Sequence, residues 1–253
     1  MVGRTVVMSQ RQVALIGGFA YVAISALALF ANFLVLERLV DPDDAATTVG
    51  NIVTSEVLFR SGIAAFLIVF ILDVVVAWAL YVVFSRANRE LSLLAAWLRV
   101  VYAAVASTAL LSLLVVVQIV DDTGYATAFV EGERNAQAML FLDAFDYGWS
   151  IGLVIFGAHL LILGLVIVKS AFAPRLMGIL VALAGLGYLL DNLARVLFPN
   201  YQDYEGLFLL LVAIVAIPAE FWLTGWLLFR GGKADQRAQP PTVVTQVGAR
   251  PVG

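Results

Sequence analysis

Six apolar runs, at 13–36, 54–84, 91–120, 139–168, 176–198 and 207–229, constrain this chain more than any other feature. A helix crossing about 30 Å of hydrocarbon needs roughly 20 consecutive apolar residues, whereas a helix on a soluble core needs only an apolar stripe. The runs are therefore read as membrane spans. Composition agrees: 62% of the 253 residues are hydrophobic and 13% are charged, against roughly 45–50% and about 25% in soluble domains. The expected fold is an all-α, polytopic bundle of six transmembrane helices occupying 13–230. A short segment, 1–12, precedes it. The tail, 231–253, is rich in Gly, Pro, Gln and Thr without apolar periodicity, and is expected to be disordered.

The first run begins like a secretory signal, with Arg4 and Arg11 ahead of it and Ala26-Leu27-Ala28 within it. Because it continues for eight residues past Ala28, a retained span is expected. The connection 37–51 reads as an acidic loop, in which Asp41-Pro42-Asp43-Asp44 suits a turn that opens a helix. The connection 121–137 carries Asp121, Asp122, Glu131 and Glu133 against Arg134, and 199–206 is a small acidic turn.

Six spans place both termini on one side. That side holds Arg4, Arg11, Arg86, Arg89, Lys169, Arg175, Arg230, Lys233, Arg237 and Arg250, and the other holds only Arg38 and Arg134. Ten cations against two is a strong positive-inside bias, so both termini are expected in the cytoplasm. The net charge of −3 decides nothing by itself.

Absence of cysteine excludes disulfides, thiolate catalysis and cysteine-held clusters, and a single histidine excludes a bis-histidine haem site within one subunit. No Gly-rich phosphate loop, His-Glu-x-x-His pair, Gly-x-Ser-x-Gly elbow or nucleotide fingerprint is present. No cofactor is implied. The basic residues are scattered, so nucleic-acid binding has no support. Glu56-x3-Arg60 and Asp191-x3-Arg195 echo one another, but both fall toward the outer face, which does not fit an inverted repeat.

Ionisable side chains inside hydrocarbon are costly and usually face a packed interior or a water-filled cavity. In the spans they sort into two layers. The outer layer holds Glu56, Arg60, Asp143, Asp146, Asp191 and Arg195. Glu56/Arg60 and Asp191/Arg195 have the i,i+4 spacing at which opposite charges pair along one helix. Asp143 and Asp146 lie three residues apart on one face with Tyr147 beside them, and have no local partner. Four acids against two arginines leave two carboxylates that must share protons, borrow an arginine or bind a cation. The inner layer holds Asp73, Arg99, His159 and Glu220, the last just after Pro218. From their depths, Asp73 and Arg99 are within reach of each other. His159 and Asp146, roughly 20 Å apart along the axis, are not one site. Structural readings stand beside these: self-paired charges near an interface, a histidine that hydrogen-bonds between helices, an ion pair that fixes helix register. Gly178-x3-Ala182 and Ala184-Gly185-Leu186-Gly187 form a small-residue face expected to pack within the bundle. Trp97, Trp149, Trp222, Trp226, Tyr81, Tyr102 and Tyr188 read as interface anchors or core fillers.

Ser55-Glu56-Val57-Leu58-Phe59-Arg60, Phe156-Gly157-Ala158-His159-Leu160, Pro174-Arg175-Leu176-Met177-Gly178 and Ala184-Gly185-Leu186-Gly187-Tyr188-Leu189-Leu190-Asp191 occur in that order. Together they resemble the bacterial integral membrane proteins grouped as domain-of-unknown-function family 4386, over 13–229. The resemblance implies a multi-pass protein of a bacterial inner membrane and no particular activity. It draws attention to Glu56, Arg60, His159, Pro174, Arg175 and Asp191.

The function expected from the residues is binding or transport of a cation, a proton or a small cationic or amphipathic molecule through an acidic, outward-facing polar interior. An intramembrane enzyme using paired carboxylates, with a hard cation or as general acid and base, is the first alternative. A structural or partner-binding subunit is the second. The lipid bilayer is the expected environment, and an oligomer is compatible with the sequence.

Overall fold

The structure, a computed structural model, describes residues 8–121, 127 and 129–233. Arg4, Asp122, Arg237, Arg250 and the tail beyond Lys233 lie outside the described residues. Among the described residues, six helices are long and apolar enough to cross a membrane: α1 (Gln10–Leu39), α3 (Glu56–Phe84), α4 (Arg89–Val120), α5 (Glu131–Lys169), α6 (Arg175–Leu197) and α7 (Glu205–Phe229). The chain is thus a multi-pass, all-helical membrane protein, as its apolar runs require.

Local chemistry starts the helices. Ser9 and Gln12 form a reciprocal capping box at α1, and the Asn88 side chain accepts the Leu91 amide at α4. Within α1 the stretch Phe30–Leu36 is wound as a π-helix. At 39 residues α5 is roughly 58 Å long, nearly twice the hydrocarbon thickness. It starts eight residues before its apolar run, with Glu131 and Glu133 at the electropositive end of the helix dipole. Apolarity marks the embedded portion of a helix and not its end.

The loop expected at 37–51 contains a helix, α2 (Ala45–Thr54). Asp44 caps it, accepting the Ala46 and Thr47 amides at 2.9 and 3.0 Å and the Thr47 hydroxyl at 2.7 Å. These bonds, the Thr47 amide foremost, hold the Asp44 carboxyl below its ordinary range. α2 buries Thr48, Val49 and Ile52 and contacts α3, α4 and α5. It lies across the acidic end of the bundle.

The spans form a closed ring in chain order: α1 packs on α3, α3 on α4, α4 on α5, α5 on α6, α6 on α7, and α7 back on α1. Arg11 closes the ring. Its guanidinium donates to the carbonyls of Leu227 and Gly231, each at 3.0 Å, and to that of Leu228, occupying carbonyls that the end of α7 leaves without partners. Along α5 and α6 the backbones touch. A Cβ on Gly164 would stand 2.5 Å from the Ala182 amide nitrogen, and one on Gly185 2.5 Å from that of Leu161. The small-residue face of α6 is therefore a packing seam inside the bundle, as its spacing suggested.

Candidate functional site

Where the helices converge, Tyr21 from α1, Asp73 from α3, Arg99 from α4 and His159 from α5 join in one buried network, and around the adjoining Phe156 ring stand Tyr102 from α4 and Tyr188 from α6, the latter paired with Glu220 from α7. Arg99 is the hub of the network and is 1% exposed. Its Nε and Nη2 donate to Asp73 Oδ1 at 2.9 and 2.5 Å. Its Nη1 donates to the Tyr21 hydroxyl at 2.6 Å and meets His159 Nε2 at 3.3 Å. The guanidinium also lies 4.7 Å from the Tyr21 ring centre and 5.3 Å from that of Phe156.

The histidine tautomer follows from its partners. His159 Nδ1 is 2.7 Å from the Ala95 carbonyl, which can only accept, so Nδ1 carries the proton. Nε2 then presents a lone pair to the Arg99 N–H. A doubly protonated ring would aim an N–H at a guanidinium, so His159 sits here as a neutral acceptor.

Charge in the cluster is uneven. Asp73 is matched by Arg99. Glu220 is half-buried, one turn from buried Ala216, and its hydrogen bond is from the Tyr188 hydroxyl at 3.3 Å. It lies near enough to Arg99 and Asp73 to feel both charges. The proline at 218 cannot donate a backbone hydrogen bond, which loosens the helix just before this acid.

Aromatic layers bound the cluster on both sides. Toward the acidic end, Trp149 packs on Phe66, Phe70 and Phe145 at centroid distances of 5.1, 5.6 and 5.8 Å. Toward the basic end, Phe84, Phe172 and Trp226 stack at 5.5–6.2 Å. Of the inner layer expected from sequence, Asp73, Arg99 and His159 lie buried together and Asp73 and Arg99 meet, while Glu220 is half-buried beside them.

The outer layer is arranged differently. Asp143, Asp146 and Tyr147 all point to the exposed side of α5, Tyr147 at 55% exposure. Glu56 and Arg60 pair at 2.5 Å along α3, each about half exposed. Asp191 and Arg195 turn to separate partners instead of each other. The Tyr201 hydroxyl donates to Asp191 Oδ1 at 2.6 Å, while Arg195 reaches Asp146 at 3.9 Å and Glu205 at 3.6 Å. Burial, then the bond to Asp191, raise the Tyr201 phenol above its ordinary range.

Three cluster members, Tyr21, Tyr102 and Tyr188, escape the sequence reading. A tyrosine in an apolar run reads as a filler or an anchor. The available signal was that Tyr102 and Tyr188 lie within a turn of Arg99 and Asp191. Among the described residues, no group of three His, Asp or Glu side chains is placed to hold a metal ion.

The profile of the family described as domain of unknown function (DUF4386) matches residues 16–231. An uncharacterised protein of Archaeoglobus fulgidus is 29% identical over 179 residues, covering 71% of this chain and 89% of its own. No solved structure matches the chain.

Proposed function

The chain belongs to the DUF4386 family, whose description carries no reaction, and we propose that it binds and carries a proton or a small cation through the central cluster. The observation that carries this reading is that the buried network around Arg99 and the half-buried Tyr188–Glu220 pair together draw a polar side chain from each of the six spans. Arg99 cancels only one of its two carboxylates there. Glu220 is the acid that takes the proton or cation, with the Tyr188 hydroxyl beside it. Asp143 and Asp146, together with the acids around Arg195, concentrate cations at the acidic end. The aromatic layers are the two gates, and the arrangement is the occluded one. In this reading the basic end is cytoplasmic and the membrane is the plasma membrane of a prokaryotic cell.

The test is flux into proteoliposomes carrying an internal pH-sensitive dye, driven by opposed gradients of protons and of sodium or tetraethylammonium. Wild type acidifies or alkalinises the lumen. Glu220→Gln does not, and Asp143→Asn/Asp146→Asn is slowed. No flux from wild type with either cation, or full flux from Glu220→Gln, overturns the reading. The near-complete pairing of Arg99 favours a second one, in which the cluster only fixes helix register. Wild type and Glu220→Gln would then be equally inert and equally stable.

A further inference from the structure

At the basic end, apart from the central cluster, a cleft of about 940 Å³ opens between the α5–α6 connection and the last turns of α7. Phe172, Trp222, Trp226 and Phe229 wall it, and Arg230 and Lys233 stand at its edge. A hollow of about 210 Å³ adjoins it, sharing Phe172, Trp226 and Arg230. No acidic side chain is among the described residues lining either space. Phe229 is 70% exposed and Trp222 37%, so the aromatic wall continues onto the lipid-facing side of α7. Pro174, the N-cap of α6, also lines the cleft, and no side chain caps that helix. Its positive dipole end adds to the two cations.

The place matters as much as the lining. α7 ends at Phe229 and α6 begins at Arg175, so the cleft sits where hydrocarbon gives way to headgroups. A soluble anion would use the cations and leave the aromatic wall idle, and a neutral hydrophobe would do the reverse. An anionic amphiphile uses both. We propose that this cleft binds an anionic phospholipid, its phosphate held by Arg230 and Lys233 and its acyl chains against Trp222 and Phe229.

The experiment is native mass spectrometry of the full-length protein in detergent, offered phosphatidylglycerol, phosphatidylcholine or inorganic phosphate. Wild type retains phosphatidylglycerol over phosphatidylcholine, and inorganic phosphate does not displace it. Arg230→Gln/Lys233→Gln lowers retention roughly thirtyfold, as expected for two cations near an anionic surface. Arg230→Lys/Lys233→Arg keeps it. If the double neutralisation does not fold, Lys233→Gln alone lowers retention roughly fivefold. Equal retention by the neutralised variant, equal retention of phosphatidylcholine, or displacement by inorganic phosphate overturns the proposal, the last by making this a small-anion site. Glu220→Gln leaves retention unchanged, so this result and the flux result fail separately.

Discussion

Two groups of charged side chains share α5 and differ in how they are held. Ten residues before its C-terminal end, His159 and the neighbouring Asp73–Arg99 pair lie almost wholly out of contact with solvent, and the contacts of Arg99 come from three other helices. About 20 Å along the same helix, Asp146 is 56% exposed and reaches Arg195 across 3.9 Å. The first group is fixed by geometry, because a charge that cannot be hydrated must be paired or neutralised. The second is fixed weakly, since water and headgroups offer each member an alternative partner. The outer group can therefore rearrange at little cost, whereas the Asp73–Arg99 pair cannot separate without stranding a buried charge.

The largest effect expected separates the two groups outright. Arg99→Met strands Asp73 in a buried place, at a cost of about 3–5 kcal/mol. Thermal unfolding in detergent should show a large fall in Tm, and Asp73→Leu/Arg99→Met should recover most of it. If the single change is tolerated, the core pair is hydrated and the two groups are held alike. Arg195→Gln is the matching test at the acidic end. Its two ion pairs are long and exposed, so the loss should stay within about 0–1 kcal/mol and shrink further with salt. A fall as large as that of Arg99→Met would place Arg195 in a desolvated network.

The smallest effect is confined to α2. Asp44 has a lowered folded pKa, so its contribution is complete above the ordinary aspartate value of 3.8 and is lost as pH falls below it. Amide protection at residues 45–48, exchange corrected for its intrinsic pH dependence, should fall between pH 6 and pH 3 while protection in the middle of α4 does not change. A uniform fall would mean that the cap is coupled to the whole bundle.

Much of the inner cluster was legible. Residue depth alone put Asp73 and Arg99 in reach, and set His159 and Glu220 at the same level. The side toward which Asp143, Asp146 and Tyr147 point was not legible, for a physical reason: a span that is apolar all round has no polar face to reveal its rotation. Rotation about the axis comes from packing, and on α5 it comes from glycines such as Gly164 lying directly against the α6 backbone. The Asp191–Arg195 pair failed similarly. Its spacing permits a bond, but Tyr201 and Glu205, brought close by the turn after α6, compete for both partners.

By itself the sequence determined that this chain has six segments long and apolar enough to span a membrane, which end of them is basic, and which charges fall within them. Length against bilayer thickness and the cost of burying charge act one helix at a time, and so can be read from one helix at a time. Only the tertiary structure decided that the spans close into a ring in chain order, that Tyr21, Tyr102 and Tyr188 complete a cluster around Arg99, and that aromatic layers bound it. Those features depend on contacts between helices far apart in sequence, and hydrocarbon, as apolar as the helices themselves, does not favour one such arrangement over another.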